Sequence, residues 1–449
     1  MSAHRATPLP CALPGSPLDA AKAGIDACVH CGFCLQACPT YLALEDENDS
    51  PRGRILLMRG LVEGTLAPTD DAVRTHIDRC LGCRACETAC PSGVPYGHLL
   101  EATRATLAEY DRQPFVARMV LGVFRREWLL RPVLAGARVL RATGIPSLLA
   151  RLPGRLGFAM AMLASTRREA VLDGNRHTAT RDGARPVGSA VGGDPAELHG
   201  LGSAAVLLGC VMEGLFAETN RATERVLHRN GYSLRDTPGQ QCCGALHAHA
   251  GDMEGARALA RANVRAFDAA GTDVIAVNSA GCGAMMKEYA HLLADDPPFA
   301  EAAARVSARV RDISELLVAA GPARGGSLPL TVTYDAPCHL MHAQRIVTPP
   351  LSVLGAIDGL TLVPLEDADQ CCGAAGIYSL VEPETSAAVL APKLERIERT
   401  GARYVATGNP GCLMQIGAGL RRAGVNARAV HPVDLLDSSY GVGARGQKS

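Results

Sequence analysis

The sequence predicts a chain of mixed class, α+β joined to α/β. Its parts are a small helical domain, a helical arm and two duplicated α/β domains. Three observations predict this. Two cysteine runs of one spacing, "CVHCGFCLQACP" at 28–39 and "CLGCRACETACP" at 80–91, lie among helix-start signals. An apolar, arginine-rich stretch interrupted by prolines follows them. The second half then repeats itself, so that Cys210, Cys242, Cys243 and Cys282 return in register as Cys338, Cys371, Cys372 and Cys412.

Residues 1–110 form the first part. Ser50 reads as a helix N-cap with Pro51 at the first helical position, and Thr69 or Asp70 opens the next helix. Residues 111–200 form the arm and a linker. Between Phe115 and Arg168 one acid, Glu127, stands against ten arginines. The apolar spacing suits helices broken near Pro132, Pro146 and Pro153, and 171–200 reads as a loose linker. Two readings fit the arm: helices packed on a neighbouring domain or subunit, or a basic amphipathic surface resting on an anionic membrane, with Arg125, Arg126 and Arg131 facing it.

Residues 201–321 and 328–449 are the duplicated domains, separated by "PARGGSLP" at 322–329. Each alternates strand-like and helix-like runs. "AAVLLG" precedes the helical "TNRATERVLHRNG", and "MEGARALARANVRAFDAAG" precedes the strand "DVIAVN". That alternation predicts a parallel sheet covered by helices, with the cysteines where strands end.

Composition narrows the function. Lys plus Arg and Asp plus Glu are both 45, so nothing favours nucleic acid as a partner. No apolar run is long enough to span a bilayer, and "MSAHRATPLPCALPGS" has no signal-peptide core. The expectation is a cytoplasmic protein, peripheral at most on the inner face of the membrane. In that compartment, 17 cysteines argue for metal or redox chemistry over disulfides. "GLGSAA" at 200–205 precedes a strand where a dinucleotide loop would follow one, so no flavin or nicotinamide site is expected.

C-x2-C-x2-C-x3-C-P is the bacterial ferredoxin spacing. Three thiolates two residues apart reach one cubane, and the fourth cysteine serves the neighbouring cluster. The expected sets for two 4Fe–4S clusters are therefore Cys28, Cys31, Cys34 and Cys90, and Cys80, Cys83, Cys86 and Cys38. Structural zinc normally uses separated C-x2-C pairs, which these runs are not. For Cys210, Cys242, Cys243 and Cys282, and for Cys338, Cys371, Cys372 and Cys412, two readings stand. One is a further iron–sulfur cluster in each domain. The other is a redox-active vicinal pair, or buried thiols without metal. His247, His249, His339 and His342 lie near these cysteines as candidate ligands or proton relays, or as ordinary polar side chains.

The motifs "SPRGRI", "GCVMEGLF", "GQQCCGALHAHAGD", "NSAGCGAMMKEY", "PCHLMHAQ", "CCGAAGIYSL" and "TGNPGCLMQI" resemble one family over nearly the whole chain: the iron–sulfur subunits of glycolate oxidase, more properly glycolate dehydrogenase. The resemblance implies a ferredoxin domain, an arm and two cysteine-rich CCG domains. It further implies that separate flavin subunits oxidise glycolate to glyoxylate. This chain, not catalytic alone, then carries electrons toward the quinone pool. CCG domains also occur in heterodisulfide reductase and in lactate and glycerol-3-phosphate oxidation. The alternatives are accordingly a thiol/disulfide reductase subunit, or the electron-transfer subunit of a lactate or glycerol-3-phosphate dehydrogenase. In heterodisulfide reductase the module ends in C-x-x-C and five cysteines hold a noncubane cluster. Here Met285 and Gln415 take the last position, which leaves four cysteines per module.

Overall fold

A computed structural model describes residues 12–110, 114–167 and 200–446. The linker expected over 171–200 lies, except for Gly200, outside the described residues.

The first part is helical. Its longer helices are Pro51–Glu63, Asp71–Asp78 and Tyr96–Tyr110, with short ones at Pro39–Leu44 and Ala85–Ala89 beside the cysteine runs. Ser50 caps the 51–63 helix, its Oγ accepting from the Gly53 N–H at 3.0 Å, while Pro51 sits where no donor is needed. Of the two residues expected to open the 71–78 helix, Asp70 does so, accepting from the Ala72 N–H at 2.8 Å. Leu18, Ile25, Met58, Leu61, Ile77 and Leu99 close a core between these helices.

The arm has helices Phe115–Phe124, Glu127–Ala142, Ile145–Leu149 and Gly154–Ser165. Breaks fall near Pro146 and Pro153 as expected, but Pro132 lies inside the 127–142 helix. Near the start of an exposed helix a proline forfeits one backbone bond, which the helix tolerates. Gly144, at φ 77°, ends the helix instead. The arm packs on both duplicated domains. Leu134 lies over Gly214 of the first, and Arg141 Nη1 donates to the Leu215 carbonyl at 2.9 Å. Ala161 meets Ala418 of the second in a small buried cluster, and Arg422 Nη1 donates to the Leu152 carbonyl at 3.1 Å. The outer face stays apolar and open: Phe115 and Trp128 are each 71% exposed, Val139 68% and Leu148 65%.

Each duplicated domain is a four-stranded parallel sheet. The first comprises β1 (Ser203–Val206), β2 (Ser233–Arg235), β3 (Val274–Val277) and β4 (Val310–Asp312), in the order β2-β1-β3-β4. The second comprises β5 (Thr331–Tyr334), β6 (Thr361–Val363), β7 (Tyr404–Ala406) and β8 (Arg428–Val430), in the order β6-β5-β7-β8. Registers match across the repeat, Ala204 opposite Val274 and Val332 opposite Tyr404. The chain turns outward in both directions from the central pair, so β1/β3 and β5/β7 are topological switch points, where open sheets bind ligands. The two sheets share a core containing Val206, Val332, Tyr404 and Leu435. The loops after β3 and β7 are joined directly, the Ala280 N–H donating to the Gly408 carbonyl at 3.0 Å.

Candidate metal centres

The two cysteine runs fold alike for a shared backbone reason. In each, the residues on either side of the middle cysteine are left-handed. His30 (φ 55°) and Gly32 (φ 85°) flank Cys31, and Gly82 (φ 62°) and Arg84 (φ 63°) flank Cys83. Two such turns curl the loop inward, and the non-glycine members carry strain of the kind found at functional sites. The closing proline also acts. It holds the preceding residue extended, and Cys38 (φ −91°, ψ 112°) and Cys90 (φ −86°, ψ 114°) adopt nearly one conformation.

Cys28, Cys31 and Cys34 line a recess together with Cys86 and Cys90 from the second run. No carboxylate lines it, so its donors are soft sulfur, which suits an iron–sulfur cluster and not a hard cation. Cys31 is exposed, and Val29 and Phe33 beside it are 69% and 68% exposed. The second group is internal. Cys38, Cys80, Cys83 and Cys86 are all buried, and Cys86 lies within electrostatic range of the other three. Burial pushes the Cys34 thiol up to about 11 and raises those of Cys38 and Cys86. Thiolates gathered here need a compensating cation, which iron supplies.

Arg54 is the functional side chain that sequence reasoning missed. It is fully buried, and its guanidinium reaches the His76 carbonyl at 2.6 Å, Thr40 Oγ1 at 3.1 Å and Asp49 Oδ1 at 3.1 Å. Thr40 Oγ1 in turn lies 3.3 Å from Cys38 Sγ. Burial opposes its charge, but Cys80, Tyr96, Cys38 and Asp49 around it hold it protonated. The signal was the second arginine of "SPRGRI".

In the duplicated domains the cysteines gather at the switch points. Cys210 follows β1 and Cys282 follows β3; Cys338 follows β5 and Cys412 follows β7. The vicinal pairs precede Gly244 (φ 90°) and Gly373 (φ 80°). A Cβ at Gly373 would lie 2.7 Å from the Ser386 carbonyl oxygen, so only glycine fits. In each module the four thiols lie close enough to perturb one another, Cys210 and Cys282 flanking Cys242 and Cys243, and Cys338 and Cys412 flanking Cys371 and Cys372; Cys372 Sγ and Cys412 Sγ are 3.2 Å apart. Proximity to Cys210 and Cys371 holds Cys242 and Cys372 well below the ordinary thiol range. Met285 and Gln415 are buried beside these groups and offer no thiolate.

The histidines divide. His249 Nδ1 lies 3.3 Å from Glu101 Oε1, and His342 bridges Thr88 Oγ1 at 2.8 Å and the Asp369 carbonyl at 3.2 Å. Both are joints between domains. His339 Nδ1 lies 3.5 Å from Cys338 Sγ, and burial pushes it down to about 3. His247 is fully buried with neither ring nitrogen hydrogen-bonded.

Comparison with known proteins agrees with this geometry. A 4Fe-4S dicluster domain model matches residues 24–94, and a cysteine-rich domain model matches 204–287 and 332–417. The chain is 35% identical over 437 residues to the probable glycolate oxidase iron-sulfur subunit of Bacillus subtilis, covering 92% of this chain and 94% of that one. It is 33% identical over 397 residues to the glycolate oxidase iron-sulfur subunit of Escherichia coli, covering 86% and 88%. Lactate utilization protein A of Geobacillus thermodenitrificans is 33% identical over 230 residues, which is 51% of this chain and 95% of that one. With the dicluster match, the cysteine-rich modules and the near full-length likeness in agreement, the chain belongs to the family of glycolate oxidase iron-sulfur subunits.

Proposed function

We propose that this chain is the electron-carrying subunit of a glycolate-oxidising complex. In this reading Cys28, Cys31, Cys34 and Cys90 hold one 4Fe–4S cluster, and Cys38, Cys80, Cys83 and Cys86 hold the other. The observation that supports it is that Cys90, with Cys86, lines the recess of the first run, while Cys38 lies within electrostatic range of Cys83 and Cys86 of the second. A 4Fe–4S cluster passes electrons singly, which suits a chain downstream of a flavin that receives them in pairs. Arg54 supports the reading, since its fixed positive charge beside Cys38 and Cys80 offsets thiolate charge inside the domain.

The flavin subunit is proposed to dock at the first recess. There Val29, Cys31 and Phe33 form an exposed, apolar rim, while the second group is enclosed. The arm is proposed to rest on an anionic membrane and so bring the chain to a quinone. In support, apolar side chains such as Trp128 and Leu148 stand exposed among arginines, and Arg125, Arg126 and Arg131 are exposed. Among the described residues no helix is long and apolar enough to cross a membrane, so the contact is peripheral.

The test is anaerobic. The purified chain alone reduces no dye with glycolate; with its flavin partner added, glycolate reduces its clusters. Activity without the partner overturns the reading. C83S loses or converts one cluster, read by electron paramagnetic resonance. Serine at Arg125, Arg126 and Arg131 together moves the chain from sedimenting vesicles of anionic lipid to the supernatant; no movement removes the membrane from the proposal.

A further inference from the structure

A cleft of about 1280 Å³ opens where three parts of the chain meet. The 96–110 helix of the ferredoxin domain forms one wall, the 115–124 helix of the arm a second, and the first duplicated domain the third. It is larger than the ~300–1,000 Å³ usual for a small-molecule site, so it has room for a ring and part of a tail. Leu99, Leu121, Met285 and Leu292 supply apolar lining. Six carboxylates face four guanidinium groups, so a free anion is disfavoured. Three of the six, Glu101, Glu254 and Glu288, are already engaged by His249, Arg257 and Arg84. Two imidazoles remain. His98 and His291 stack with their centroids 4.3 Å apart and their planes at 17°. His98 Nε2 is buried without a hydrogen-bond partner, 3.7 Å from Glu288 Oε1, which leaves Nδ1 for a ligand. The second cysteine group lies just behind this wall. Arg84, next to Cys83, bonds Glu288, and Tyr96, two residues before His98, has its Oη 3.7 Å from Cys80 Sγ.

We propose that this cleft binds a lipid-soluble quinone and that His98 Nδ1 donates a proton to one of its carbonyl oxygens. The inference rests on the proposed electron-carrying role and names the place where electrons leave the chain. Three features select this class of ligand. The apolar lining suits a neutral ring. The unbonded imidazole suits a carbonyl oxygen. The helix whose Leu121 lines the cleft also carries Phe115 and Met119, 71% and 54% exposed, which suits a ligand arriving from lipid. Glu288 raises His98, so that ring holds a proton to give, while burial lowers its stacked partner His291. The chemistry balances. Glycolate releases two electrons and two protons in becoming glyoxylate, and a quinone takes two of each in becoming a quinol. Both carbonyls become hydroxyls. One proton comes from His98, which regains it from water at the open mouth, and the other comes from water directly.

The experiment titrates a short-tailed, fully substituted benzoquinone into the full chain, purified without oxygen, and reads binding by calorimetry. Saturable binding is expected. H98Q should weaken it about tenfold, the effect of losing one hydrogen bond to a charged group. A102W should abolish it, since Ala102 lines the cleft one turn beyond His98 and an indole there fills the space. With the flavin partner and glycolate added, both variants should reduce the quinone more slowly. Electron paramagnetic resonance should show their clusters reduced at the rate of the unaltered chain. Absence of saturable binding to the unaltered chain overturns the inference, as does full binding in A102W. Undiminished binding and quinone reduction in H98Q overturn the donor role. Should A102W fail to fold, M253W fills the cleft from the facing wall and decides in its place. If glycolate and the flavin partner leave the clusters of the unaltered chain oxidised, the electron-carrying reading falls. Clusters reduced normally, with quinone binding untouched by A102W, remove the cleft alone.

Discussion

Arg54 shows what a single side chain does when every neighbour depends on it. Its charge is wholly enclosed, with Asp49 as the buried counter-ion and Arg79 also reaching Asp49 at 3.1 Å. Removing one partner of a buried pair costs about 3–5 kcal/mol, and with Arg79 still on Asp49 the lower end of that range is expected here. R54A should destabilise the full chain by that amount in denaturant unfolding, and R54K, which keeps the charge without the planar fork, should fall between. The cysteines were legible in the sequence because their spacing is local. Arg54 was not, because Cys38 and Thr40 come to it from one segment and His76 from another. Within "SPRGRI" the sequence displays only a helix start, which is real but incomplete.

Among elements, the loops carry the chemistry and the glycines define them. Gly373 combines φ 80° with a carbonyl 2.7 Å from any added Cβ, whereas Gly271 has φ 58° and open space around it. G373A should therefore cost about 3 kcal/mol and disturb the adjoining cysteines, while G271A costs about 1 kcal/mol; thermal unfolding of the two variants checks the difference. The central strands were readable as short apolar runs, since both faces of a parallel sheet are covered. The edge strands β2, β4, β6 and β8 were not. Each has three residues, and Arg235, Arg311 and Arg428 sit in them where an apolar run would have been the signal. Pro132 misled for a related reason: a proline's effect depends on its place in the helix, which the sequence does not mark.

At the scale of the whole molecule, the ferredoxin domain is held to the first module by charge. Arg84 pairs with Glu288 and with Glu87, and His98 Nε2 lies 3.7 Å from Glu288 Oε1, its ring stacked on His291 at 4.3 Å. Burial works against the Glu288 charge, yet His98 and Arg84 hold it down at about 2, and Glu288 raises His98. A depressed acid contributes above its ordinary range and loses that contribution as pH falls toward about 2. A raised histidine contributes fully below its ordinary value of about 6.5 and loses that contribution as pH rises through its shifted one. The stability difference between the unaltered chain and E288Q should thus peak between about pH 4.5 and 6.5 and shrink on both sides; unfolding measured across pH checks it. Such inter-domain contacts, like that of Thr88 with His342, join residues hundreds of positions apart and left no pattern to read. The exchange of fourth cysteines has one more consequence, for manufacture. The recess that opens with Cys28 gains its fourth thiol only at Cys90, and the group built around Cys80 waits on Cys38 from behind it. With the proposed ligand sets neither pocket is finished until the second run has been made, the Cys38 group closing at Cys86 and the Cys28 group at Cys90. Iron delivered earlier in synthesis then meets no complete site, a chain shortened before Cys86 holds neither cluster, and one shortened between Cys86 and Cys90 holds one at most.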